Sequence, residues 1–221
     1  MESLFTMVEA MMRQFLFIEV VKKDLKSELK LKSIFSLSLI FATAVSFLLS
    51  SSGIKEPSVI FLIVLFTSLL SLSFIYLKEI DSGTIEALKL SPLTAQEIQA
   101  AKQISSIIIN FLILSVVYPI CFALFEVNGD FFLGYLSFIL ASSSIAVCVT
   151  SLSPLLSNSR ARDLLLPVMI FPVIYPVLNS SVSAVENALN GVISYYSFQF
   201  VLFYSLALFV LSLLLADYLL P

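Results

Sequence analysis

Six stretches of this chain run without a single Asp, Glu, Lys or Arg, over roughly residues 33–52, 58–77, 104–125, 131–152, 164–180 and 193–216. A hydrocarbon core about 30 Å thick is crossed by about 20 apolar residues in a helix, and each stretch is of that order. In lipid every backbone N–H and C=O must find a partner inside the protein, so such stretches fold as helices. Composition agrees. Of 221 residues, 59% are hydrophobic and only 12% charged, against roughly 25% charged in soluble domains. The expected fold class is an all-α membrane protein, a single domain over 1–221 with six transmembrane helices.

The distribution of Lys and Arg sets the orientation. Arg13, Lys22, Lys23, Lys26, Lys30 and Lys32 precede the first span, Lys78, Lys89 and Lys102 lie in the second loop, and Arg160 and Arg162 in the fourth. These segments share one side; of the 12 basic residues only Lys55 falls on the other. Both termini are therefore expected in the cytoplasm, with the chain in the cell (inner) membrane. Residues 1–32 are too charged for a signal peptide, and no cleavage site follows a short apolar run. Met7, Met11 or Met12 is an alternative start.

The outer loops Ser50–Pro57 and Glu126–Asp130 read as short turns, and Ser181–Gly191 as a short helix or re-entrant piece. Residues 17–32 read as an amphipathic helix. Phe17, Ile18, Val20, Val21, Leu25, Leu29 and Leu31 fill one half of the wheel, and Lys22, Lys23, Lys26 and Lys30 cluster on the other. Such a helix lies in the interface, apolar side down, its lysines toward anionic headgroups. Asp24, Glu28 and Lys32 interrupt the apolar half; a local ion-pair ladder is the preferred explanation over docking against another helix.

The inner loop, 78–103, has the most local structure. Gly83 suits the left-handed residue that ends a helix. A short helix follows over about 84–91, with Ile85, Ala87 and Leu88 on one side, and Pro92 stops it. Thr94 and Glu97 form a T-x-x-E capping box that starts the helix of the third span. A short cytoplasmic helix with apolar and acidic groups suits docking by a soluble partner; the alternative is an ordinary loop.

The run Glu79, Asp81, Gly83, Thr84, Ile85, Glu86, Leu88, Leu90, Ser91 and Pro92 resembles the cytoplasmic coupling segment of the CcmB family, the membrane permease of the cytochrome c maturation ABC transporter. Residues 23–30 resemble that family's amphipathic entry helix. The stretch 159–167, with Pro172 and Pro176, resembles the opening of its fifth span. The likeness covers roughly residues 20–221. It implies an ABC export-permease type of fold, with an N-terminal interfacial helix and two permease halves. It also implies a separate ATP-binding subunit (CcmA-like), haem-handling membrane partners (CcmC-like and CcmE-like), and haem as a possible substrate. The coupling role it implies falls on Glu79, Asp81, Gly83, Thr84, Ile85, Glu86, Leu88 and Pro92. Arg160, Arg162 and Asp163 are a second docking point or plain topology signals.

Within the spans, Pro167, Pro172 and Pro176 each remove a backbone hydrogen bond, so the fifth helix is expected to be kinked or broken. Broken membrane helices often line cavities or move, which makes the three a candidate gating or pathway element, with a static kink as the alternative. Asn110 and Gln199 are expected to bond between spans, and Ser142, Ser143 and Ser144 to let helices approach. Cys121 and Cys148 fall at opposite membrane faces, as small buried hydrophobes.

The chain has no histidine, which removes the commonest general base and metal ligand. Met, Tyr or Cys could ligate haem, but no arrangement singles one out, so no cofactor is assigned to this chain. No Gly-x-x-x-x-Gly-Lys-Ser/Thr occurs, so ATP is expected to act through the partner. The net charge of −3 argues against nucleic acid. The expectation is a non-enzymatic permease for haem delivery. The rival is a general ABC export permease for a lipid-linked sugar, peptide or drug.

Overall fold

The computed structural model describes residues 2–30, 32–53, 56–72, 88, 90–156 and 162–219. Among these, every regular element is helical: α1 (Glu2–Lys30), α2 (Lys32–Ser51), α3 (Pro57–Leu72), α4 (Ala95–Leu124), α5 (Phe131–Leu152), α6 (Arg162–Leu189), α7 (Tyr195–Leu214) and the single turn α8 (Ala216–Leu219). A 3-10 turn, Ser153–Leu156, follows α5. Four helices, α4 to α7, are long and apolar enough to cross a membrane, while Ser36–Ser51 of α2 and Ser58–Leu72 of α3 form shorter apolar helices. The chain is a multi-pass membrane protein. The end expected for the second span, 73–77, lies outside the described residues.

α5 is the central helix, with α3, α4, α6 and α7 packed around it. Every side chain from Ser144 to Thr150 is buried. Lipid tails are as apolar as leucine, so burial alone does not drive helices together in a bilayer. Small residues and interhelical hydrogen bonds do that work, and α5 supplies both. At Gly134 an added Cβ would stand 2.5 Å from the Tyr118 hydroxyl and 2.8 Å from a methyl of Leu189, so a larger residue there would have to displace the ends of both side chains where α4 and α6 close on α5. Tyr118 is buried and stacks obliquely on Phe122, Phe131, Tyr135 and Phe138. Deeper in, Asn110 accepts from Ser68 Oγ at 2.6 Å and donates to the Ser142 carbonyl at 2.6 Å, tying α3, α4 and α5 together as expected of it. Gln199 instead is exposed on α7 and makes no such bridge.

Three expectations change. The segment Ser181–Gly191 is neither a separate helix nor re-entrant: α6 runs on to Leu189 and ends in a turn at Gly191, φ +73°. The backbone fixes that extension, because Asp130 N–H donates to the Leu189 carbonyl at 2.9 Å. Gly129 leaves room for this contact, since a Cβ there would meet the same carbonyl at 2.5 Å. Second, α6 passes through Pro167, Pro172 and Pro176 without a break, so of the two expected forms, kinked or broken, the broken one does not hold. Packing of α6 against α5 and α7, including a 2.6 Å bond from Tyr204 Oη to the Val173 carbonyl, holds the helix where proline removes local bonds.

The third change concerns the amphipathic helix. α1 starts at Glu2, well before residue 17, and its apolar half is turned toward protein. Val20 is buried with Leu93, Ile98 and Ala101, flanked by Leu16, Phe17, Val21 and Leu88, while Leu25 packs against the main core. Ile18 is exposed. The side chains of Glu28, Leu29, Leu31 and Lys32 lie outside the described residues.

Candidate functional site

Residues 88–94 join the inner loop to α4, and local bonding explains their shape. Leu88 N-terminal to the turn offers its carbonyl to the Ser91 N–H at 3.1 Å and to Ser91 Oγ at 2.5 Å. Pro92 follows, exposed. Thr94 then caps α4: its hydroxyl accepts from the Glu97 N–H at 3.2 Å, and the Glu97 carboxylate accepts from the Thr94 N–H at 2.7 Å. The expected capping box is present in both directions. This geometry orients three leucines differently. Leu93 is buried and Leu88 half-buried against α1, whereas Leu90 is 88% exposed.

The first turns of α4 form a hub. On one side Lys102 meets Asp24 of α1, Nζ to Oδ2 at 3.0 Å, with side chains only 1% and 6% exposed. On another, Gln99 Nε2 donates to the Thr150 carbonyl of α5 at 3.3 Å and Gln103 Nε2 to Ser151 Oγ at 3.0 Å. Gln103 Nε2 also donates to Ser212 Oγ of α7. One helix end therefore holds α1, α5 and α7 through polar groups buried in the protein. A buried ion pair costs several kcal/mol in desolvation per ion, which only close geometry repays. For Asp24 the structure shows docking against another helix, the alternative weighed against a local ladder, whose other members Glu28 and Lys32 have side chains outside the described residues.

The sequence placed Gln99, Lys102 and Gln103 in the loop and missed their role. The signal was available: a helix beginning just after Thr94 already makes them helical, three and four residues apart, where each side must meet a neighbour.

Of the residues singled out for coupling, Leu88 and Pro92 sit in this turn. Glu79, Asp81, Gly83, Thr84, Ile85, Glu86 and Arg160 lie outside the described residues. Arg162 and Asp163 stand in the first turn of α6, so the loop before that helix is shorter than the sequence implied. Pro172 and Pro176 are exposed on α6 beside Tyr175, away from the buried face that carries Ile170, Ile174 and Val177. Cys121 and Cys148 are buried thiols near opposite ends of the bundle; the first lies 3.2 Å from Ser46 Oγ. Among the described residues, no group of three or more Cys, Asp or Glu could hold a metal ion.

Residues 15–220 match the family model described as "CcmB protein". Comparison with curated proteins gives no match.

Proposed function

We propose a function from the premise that this chain belongs to the CcmB family, whose members are membrane components in haem export for cytochrome c maturation: the chain is the permease subunit of an ABC transporter. The cytoplasmic handle for its motor is the segment 84–91. ATP binding closes two separate ATPase subunits on each other. The movement enters at 84–91 and passes through the turn 88–94 into α4. With six spans and the lysine-rich end cytoplasmic, as the distribution of Lys and Arg in the sequence supports, the handle lies on the side where ATP is available. The substrate handled is haem or a haem-loaded chaperone, with CcmC-like and CcmE-like proteins as membrane partners. Pro167, Pro172 and Pro176 give α6 the weakened backbone of a gating element.

The observation that carries the reading is the way α4 begins. A capped, 30-residue helix, about 45 Å long at 1.5 Å per residue, starts at Ala95, five residues after an exposed Leu90. It is bonded within its first turns to α1, α5 and α7. A push on this turn is a push on the bundle.

Deletion of the gene tests the function. Covalent haem attachment to c-type cytochromes should stop while export of other solutes continues, and normal c-type cytochromes would favour the general export permease. Co-purification of the ATP-binding subunit should fall at least tenfold with Glu86→Arg or Leu88→Asp. Retention by both variants would refute the coupling role.

A further inference from the structure

The outward face of α6 differs from those of its neighbours. α2 and α7 turn out Ile40, Phe47, Phe203 and Leu206, side chains that lipid accepts. α6 turns out Val168, Phe171 and Tyr175, 68%, 54% and 64% exposed, and with them Pro172, Pro176 and Asn179. The Asn179 side-chain amide makes no hydrogen bond among the described residues; Ser183 Oγ reaches only its backbone carbonyl, at 3.2 Å.

The depth of Asn179 makes this costly in lipid. α5 has 22 residues, about 33 Å of helix, close to the roughly 30 Å of the hydrocarbon core. Just before its first residue, Asp130 N–H meets the Leu189 carbonyl of α6, and near its other end Cys148 shares a small cavity with Val173. α6 therefore runs antiparallel to α5, and Asn179 lies about 15 Å of helix from Leu189, near the middle of the layer. Acyl chains offer an amide no partner. Gln199, also exposed, stands one turn inside the Tyr195 end of α7, within reach of headgroups. The backbone of α6 adds to the demand. Pro172 and Pro176 have no N–H, so the carbonyls of Val168 and Pro172 lose their usual helical donor.

Spacing and shape indicate what covers the face. Val168, Pro172, Tyr175, Asn179 and Val182 follow one another at alternating intervals of four and three, the 3.5-residue period of a left-handed seam between two helices. Beside this seam a cavity of about 380 Å³ opens between α3 and α6, walled by Phe61, Leu62 and Leu65 on one side and Phe171 and Leu178 on the other. An amide both donates and accepts, so Asn179 is complementary to itself. A two-fold interface uses the same patch on both copies, and an axis along the membrane normal keeps each residue level with its own counterpart. Two Asn179 amides then satisfy each other, and the aromatics of one copy stand level with the cavity of the other.

We propose that the chain forms a homodimer through this face, Asn179 pairing with Asn179 of the second copy while Phe171 and Tyr175 pack into the cavity between α3 and α6. This dimer supplies the two permease halves expected of the transporter proposed above; its evidence is depth, spacing and side-chain chemistry, independent of that function.

The test uses the full chain in membrane vesicles. Both native cysteines are buried, so Asn179→Cys oxidised with copper phenanthroline should give a disulfide-linked homodimer, because a residue on a two-fold axis meets its own copy. Phe203→Cys, exposed on α7, should give none. Interhelical hydrogen bonds in membranes are individually modest, so Asn179→Leu should raise the dissociation constant of fluorescently tagged protein diluted in bilayers about fivefold. Asn179→Gln keeps the donor and acceptor and should stay within about twofold of wild type. No homodimer from Asn179→Cys, equal cross-linking from Phe203→Cys, or unchanged association in Asn179→Leu would overturn the proposal. A cross-link from Asn179→Cys to a different membrane protein would overturn it too. Neither measurement reads haem delivery or ATPase binding, so failure here leaves the permease function standing, and failure of that function leaves the dimer.

Discussion

At the scale of single residues, the account depends on polar groups buried where lipid surrounds the protein. Asp24 and Lys102 are the extreme case. Removing one partner leaves a buried charge, so Asp24→Ala or Lys102→Ala should each cost about 3–5 kcal/mol. Asp24→Leu combined with Lys102→Met should recover most of that, because an apolar pair needs no compensation. Reversible unfolding in mixed micelles measures both; a double variant no more stable than the singles would show that the charges are held by more than each other. Gly134 makes the opposite point, since its contribution is an absence. Gly134→Val pushes a side chain into Tyr118 and Leu189 and should cost about 1–3 kcal/mol as overpacking, read in the same unfolding experiment. The sequence disclosed such residues unevenly. Asn110 stood out as a large amide inside an apolar run, and its bonds to Ser68 and Ser142 follow from that position. Lys102 was hidden because a lysine near a span end ordinarily signals topology, and only the structure brings Asp24, 78 positions away in sequence, to within 3.0 Å of it.

At the scale of elements, local signals predicted well and tertiary choices did not. The Thr94–Glu97 box marks the start of α4 because both bonds are local. The limits of α5 at Phe131 and Leu152 follow from an uncharged run capped by Asp130, whose carboxylate accepts from the Phe132 and Leu133 N–H groups. Thr94→Ala removes one of the two bonds of the box and should cost about 1 kcal/mol. Amides 95–98 should then exchange about fivefold faster in hydrogen exchange; unchanged protection would mean that tertiary packing alone fixes this end. Two elements escaped prediction for a common reason. The amphipathicity of α1 was legible, but periodicity cannot say whether an apolar half faces lipid or protein. The prolines of α6 were legible too, yet continuity of the helix depends on its neighbours and not on its own backbone alone.

At the scale of the whole molecule, the fold is a bundle gathered round α5 with a polar hub at one end, built on the first turns of α4. The central claim is that the coupling segment 84–91 is a cytoplasmic handle gripped by an ATP-binding subunit. Leu90, 88% exposed, is the place to test it, since Cys121 and Cys148 are buried and Leu90→Cys supplies the one accessible thiol among the described residues. In membrane vesicles of known sidedness, a membrane-impermeant maleimide should label this cysteine only where the cytoplasmic face is outward. A short thiol cross-linker should then join it to the ATP-binding subunit, with a yield that changes when ATP is added. Labelling from the opposite face, or no cross-link despite labelling from the cytoplasmic one, would contradict the account.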